Sequence, residues 1–185
     1  MKLKDLYSFR IVRATQQKDR REELETLKRA DLLLYEEGVD LVRASWLADD
    51  MYSGICSYVG RQYVRGWNPV AEYKAEILSE LDKFKRTLLT AKDLIERIPP
   101  EEEVDEFTKI VNEVKTEIKN GIEDGLIILD AAINVCRDID LSSIQTCKET
   151  SRKCYKLLEE AREKIGPTTM LMYTLIGYLE TGVIP

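Results

Sequence analysis

The chain has 185 residues, 44% hydrophobic and 34% charged, with five prolines, nine glycines, no histidine and a formal net charge of −6. That length holds one domain with a real core, and the scarcity of proline and glycine leaves little material for the turns of an all-β fold. The lack of histidine excludes His-based acid–base catalysis, Ser-His and Cys-His nucleophile pairs and the usual zinc and di-iron bundle sites, so any metal would sit among carboxylates.

The opening segment, MKLKDLYSFRIVRA, contains no apolar run of the kind a signal peptide requires, and no stretch of the chain approaches a membrane-spanning length. Both features predict a cytoplasmic protein. Leu3, Leu6, Phe9 and Val12 begin one helical stripe; Leu24, Leu27, Ala30 and Leu34 continue another, and Gly38 stands where a C-cap glycine belongs. Residues 3–36 therefore read as one long helix or two. A further helix follows from about Asp40 to Arg65, with Leu41, Ala48, Tyr52, Ile55 and Val59 on its main face and Leu47, Met51 and Tyr58 widening it. An arc that wide predicts neighbours on several sides. Ser53, Gly54, Ser57 and Gly60 form a small-residue strip suited to close backbone approach.

Trp67-Asn68-Pro69 reads as a boundary, with Asn68 as N-cap and Pro69 in the first helical position. Val70, Ile77, Phe84, Ala91 and Ile98 then recur every seven residues, interleaved with Lys74, Leu81, Leu88 and Ile95. This is the a/d pattern of left-handed helix packing, spoiled only at Lys74. Pro99-Pro100 stops that helix. The next opens on Glu101, Glu102 and Glu103, which suit a positive helix end, and is striped by Val104, Phe107, Val111, Val114 and Ile118. Gly121 and Gly125 read either as a kink or as a place for close helix packing. Asp140–Ser143 supplies an N-cap, and a regular heptad runs from Ile144 to Ile165. Gly166-Pro167 is predicted to close that helix and start a last one, about Thr168 to Glu180, apolar almost all round. The pattern as a whole predicts an all-α, antiparallel bundle of about six helices in a single domain, residues 1–185.

The cysteines, Cys56, Cys136, Cys147 and Cys154, form no CxxC pair. They read as small buried hydrophobes, with a disulfide between helices left open and its connectivity undecided. Abundant Lys, Arg and Glu with few Asn and Gln is a composition that leans toward thermophilic sources.

No catalytic, metal or cofactor motif emerges, so the leading expectation is a protein–protein interaction or scaffolding module. A protein partner or self-association is expected, with a homodimer through Met170–Leu179. Charge segregation points the same way: residues 1–30 hold nine basic and five acidic side chains, while 99–185 hold ten and seventeen. The second reading is nucleic-acid association through Arg10, Arg13, Arg61, Tyr63, Arg65 and Trp67, because Arg interleaved with aromatics is the chemistry of single-strand binding. A third is a carboxylate-metal enzyme acting on a phosphate ester or nucleotide, resting on Glu102, Glu103 and Glu106. Asp130, Asn134 and Arg137 interrupt an apolar segment on one helix face and are predicted to form a buried polar cluster, paired with an Arg such as Arg43 or Arg61. Asp49 and Asp50 read as exposed.

Overall fold

A computed structural model describes the backbone of residues 3–61, 68–100, 102 and 106–181, and the side chains of residues 20–61, 68–100, 102 and 108–180. Among the described residues the regular structure is all helical, without strands: α1 (Leu3–Ser53), a four-residue 3-10 turn (Ile55–Tyr58), α2 (Pro69–Glu96), α3 (Glu106–Arg137) and α4 (Ile144–Thr181). No helix among them is long and apolar enough to cross a membrane.

The expected six helices are four because two predicted breaks do not break. Gly38 is interior to α1, which runs through it to Ser53. A glycine inside a helix costs only about 0.5–1 kcal/mol relative to alanine, less than the packing on either side of it returns. Pro167 likewise sits inside α4. Its ring removes one backbone donor, but Pro167 and Glu163, whose carbonyl loses that donor, are both exposed and water takes over. In the other direction, the helix predicted to reach Arg65 ends at Ser53. The Ser53 hydroxyl bonds the Asp50 carbonyl, and the Ser57 hydroxyl bonds the Gly54 carbonyl at 2.7 Å, local bonds that compete with the helical ladder. The small-residue strip therefore builds a turn, where Gly60 takes φ +73°, and not a helix–helix contact.

The remaining boundaries follow the sequence signals. The Asn68 side chain accepts from Ala71 N at 3.1 Å ahead of Pro69, and the Ser143 hydroxyl accepts from Thr146 N at 3.1 Å ahead of α4. Lys74, the misfit in the α2 heptad, donates its Nζ to the carbonyls of Arg137 at 2.6 Å and Ile139 at 3.0 Å. A cation therefore closes the negative end of α3 where an apolar side chain would have packed.

Pairings along the helices give the topology. Lys85 meets Asp130 and Lys92 meets Glu123, so α2 and α3 are antiparallel. Arg43 reaches Glu76 while Thr26 and Arg29 share a groove with Leu94 and Arg97, and Lys28 reaches Glu180 while Ser45 reaches Glu159, so α1 is antiparallel to both α2 and α4. Neighbours are α1–α2, α2–α3, α3–α4 and α4–α1, with no close backbone approach across either diagonal among the described residues. This is an up-down-up-down four-helix ring. Its core carries heptads from every helix, including Leu27, Leu34 and Leu41 of α1, Ile77 and Phe84 of α2, Ile118 and Leu129 of α3, and Leu158 and Met172 of α4.

Gly121 and Gly125 mark close packing of α3 on α4, the second of the two expectations for them. A Cβ on Gly121 would lie 2.0 Å from Thr168 Oγ1, and one on Gly125 2.9 Å from Ile165 Cγ1. At Gly38 an added Cβ meets nothing within 4 Å. Glycine-to-alanine changes on this one bundle are thus expected to differ in sign. Gly38→Ala should stabilise by about 0.5–1 kcal/mol through helix propensity. Gly121→Ala should destabilise by about 1–3 kcal/mol through overpacking. Urea unfolding of dilute protein checks both, and equal shifts in the same direction would contradict the close contact.

Candidate interaction face

A helix in a closed four-helix ring needs one apolar stripe; α1 has two. The inner stripe, Leu27, Ala30, Leu34, Leu41, Ala44, Ala48 and Met51, is fully buried. The outer one is Leu32, Tyr35, Val39, Val42 and Trp46, again at alternating spacings of three and four, and therefore along one line of the helix. Tyr35 is 80% exposed and Trp46 67% exposed, and Leu32 and Val39 are also open to solvent. On α4, Met170 and Tyr173, three apart and equally exposed, lie one helical turn on from the groove-lining Gly166 and Thr169.

Between the two helices lies an open groove of 810 Å³, floored by Leu34, Leu41, Phe84 and Ile165. It exists because Gly38 and Gly166 contribute no side chains to fill it; a Cβ at either would meet nothing within 4 Å. The rim is polar. Ser45 Oγ donates to Glu159 Oε1 at 2.5 Å, and Arg162 donates to the same oxygen at 2.8 Å. The Ser45 hydrogen bond first, and Arg162 second, hold the Glu159 carboxyl below its ordinary range. On the opposite wall, burial pushes the Asp31 carboxyl up. Such a groove offers apolar contact with polar orientation at its edges, a surface suited to binding another protein. Among the described residues no three His, Cys, Asp or Glu side chains come together to hold a metal ion.

The predicted polar cluster on α3 does not assemble. Asn134 and Arg137 are exposed, and the Asp130 carboxylate is half-exposed and pairs with Lys85 of α2 at 2.6 Å. Its partner is neither Arg43 nor Arg61. The periodicity explains this: with Leu129, Ala132, Ile133 and Cys136 turned inward, positions 130, 134 and 137 fall on the outer face. Arg43 instead spans α1 and α2, paired with Glu76 and 3.8 Å from the buried Glu80.

Of the basic-aromatic residues, the Arg61 guanidinium stacks over the Tyr58 ring at 5.2 Å. Tyr63, Arg65 and Trp67, and the side chains of Arg10 and Arg13, lie outside the described residues, as do those of Glu103 and Glu106. Glu102 is exposed, as are Asp49 and Asp50. Of the last stretch, Met170–Leu179, Met172 and Leu175 go to the core and Met170 and Tyr173 to the surface.

Tyr35, Val39 and Trp46 were the residues that sequence reasoning passed over. Their signal was present as a second heptad on α1, offset from the first; the wide arc over residues 40–65 was assigned to Leu47, Met51 and Tyr58 instead.

No protein-family model, no curated protein and no solved structure matches this chain.

Proposed function

We propose that this protein is a non-catalytic protein–protein interaction module whose working surface is the outer face of α1 with the adjoining side of α4. One observation carries the reading: a bundle already closed on itself keeps a second apolar heptad stripe outside. Three rings of about 150–250 Å² each, two-thirds to four-fifths exposed in Tyr35, Trp46 and Tyr173, present roughly 400 Å² on their own. Leu32, Val39 and Met170 enlarge that patch. A monomer that works alone rarely maintains so large a contiguous apolar surface, because it raises the risk of non-specific association.

A photo-crosslinking amino acid placed at Tyr35 tests this in the cells that make the protein, with the same group at Ile127, exposed on α3, as control. A protein adduct of defined mass at position 35, absent at 127 and unaffected by nuclease, is the expected result. Equal labelling at both positions, or none at 35, would remove the reading. Adducts at position 35 that vanish on nuclease treatment would make nucleic acid, not protein, the occupant of this face and overturn the reading.

A further inference from the structure

We infer that the occupant of this face is a second copy of the chain, seated antiparallel on α1 about a two-fold axis close to Val39. The inference rests on the interaction face proposed above and names its partner.

The charge order along the outer line of α1 carries it. Read from the N-terminal side, that line runs Lys28, Leu32, Tyr35, Val39, Val42, Trp46, Asp50, with Glu36 and Arg43 beside its centre on the α2 side. The sequence of characters is basic, apolar, apolar, apolar, apolar, apolar, acidic. Laid parallel on itself, the line sets Lys28 against Lys28 and Asp50 against Asp50. Laid antiparallel, it brings Lys28, which is 40% exposed and paired with Glu180 of its own chain, to the partner's Asp50 at both ends, and Leu32 to the partner's Trp46. The same rotation brings Glu36 and the partner's Arg43 to one side. A self-complementary patch of this kind is what a closed two-fold interface requires.

The groove agrees with this arrangement. In the antiparallel register each Tyr35 ring lies over the partner's Val42, at the level where the missing side chain of Gly166 opens the groove beside α4. The ring, 80% exposed in the single chain, is thereby covered on its outer side. With the α4 residues added, the apolar patch approaches the roughly 800 Å² per partner of a standard interface. Both flanking signs being present on one helix also separates this proposal from a partner of a single charge. An acidic or basic ligand would match one end of the line and be repelled at the other.

Sedimentation equilibrium of the purified full chain tests the proposal. Wild type is expected at twice the chain mass of 21.4 kDa, and Trp46→Asp at the chain mass. Trp46 is exposed, so a helical circular-dichroism spectrum should persist in that variant and exclude unfolding as the cause. Asp50→Lys, and Lys28→Glu made together with Glu180→Lys so that the pair within the chain is kept, each place like charges opposite each other and should each weaken the dimer about tenfold or more. Combined in one chain, they should restore most of the loss. In parallel, Val39→Cys should join two chains through a short bis-maleimide, and Ile127→Cys should not. A chain monomeric at every concentration, a Trp46→Asp variant that stays dimeric, or a combined reversal no better than either alone would each overturn the inference. A monomer whose position 35 still crosslinks to another protein would end the self-pairing and leave the interaction face standing. A monomer with no adduct would end both.

Discussion

Removing the Cys56–Cys147 bridge is expected to lower the unfolding free energy by about 4–5 kcal/mol by chain entropy, and by no less than about 2 once native strain and denatured-state structure are allowed for. The two cysteines are 91 residues apart in sequence, with their Cα atoms 5.7 Å apart in the fold. Cys56 lies in the turn that follows α1 and Cys147 in the first turn of α4, so the closed loop contains the whole of α2 and α3. In the unfolded chain a bridge of that span removes more entropy than a short one, although the dependence on length is only logarithmic. Both side chains are fully buried, and Cys56 Sγ also sits 3.6 Å from the buried Ser151 hydroxyl. The measurement is urea unfolding of wild type against Cys56→Ala/Cys147→Ala, paired with a thiol titration of the denatured, unreduced chain. Two titratable thiols are expected, from Cys136 and Cys154. Four thiols, or an unchanged midpoint, would show that the bridge does not form. In the native state both remaining thiols should resist alkylation. Hydrogen bonding to Cys136 in the first place, and burial in the second, push the Cys154 thiol far above its ordinary value and away from the reactive thiolate.

That bridge illustrates which parts of the molecule could be read in advance. Cys147 and Cys154 were placed together on one buried face by their spacing of seven, and both are buried on α4. Spacing along one helix carries no information about which residue of another helix arrives opposite, so Cys56 could not be selected. Helical character, the Asn68-Pro69 start and the Ser143 cap depend on interactions within a few residues, and all are legible for that reason. Gly38 and Pro167 were misread because a local breaker signal is worth about 1–3 kcal/mol, and it was weighed without the long-range packing that outcompetes it. Leu34 and Leu41 bracket Gly38 in the core, and Ile165 and Thr168 bracket Pro167. Helix number is thus a tertiary property in this chain.

The candidate face was legible to a smaller degree. A wide apolar arc was evident over residues 40–65, from Leu47, Met51 and Tyr58 and without Tyr35, Val39 or Trp46, and neighbours on several sides were the expected consequence. Four helices supply only two neighbours for α1, namely α2 and α4, and the surplus width is what remains outside. Deciding that Trp46 is surface and Met51 core required the rotation of α1 about its axis, which the ring of neighbours sets and periodicity alone does not. The polar residues on α3 fail in the opposite sense. Asp130 and Asn134 interrupt an apolar run, yet a 32-residue helix still has an outer face, and they occupy it.

The second large effect is expected at the pair Glu23–Lys115, which joins α1 to α3 across the interior of the ring. Glu23 Oε1 and Lys115 Nζ are 2.7 Å apart, with both side chains less than a tenth exposed. Lys115 Nζ also reaches the Pro99 carbonyl at 3.3 Å, where α2 has ended. The pair is held by charge more than by hydrogen-bond direction, since Glu23 Oε1 makes no well-aligned hydrogen bond. Desolvating two charges offsets most of their attraction, so the intact pair adds little net stability. Removing one member is a different matter, because the other stays buried with its charge uncompensated. Lys115→Met alone is expected to cost about 3–5 kcal/mol, and Glu23→Leu alone a similar amount. The double variant replaces both charges with apolar side chains of similar length and should lie within about 1 kcal/mol of wild type, or above it. Urea unfolding of the four proteins forms the cycle. Additive losses, with the double variant the least stable, would mean that each charge is satisfied independently and that the pair does not join the two helices. A strongly positive coupling would mean that α1 and α3, which share no close backbone contact among the described residues, are registered to each other through this buried pair.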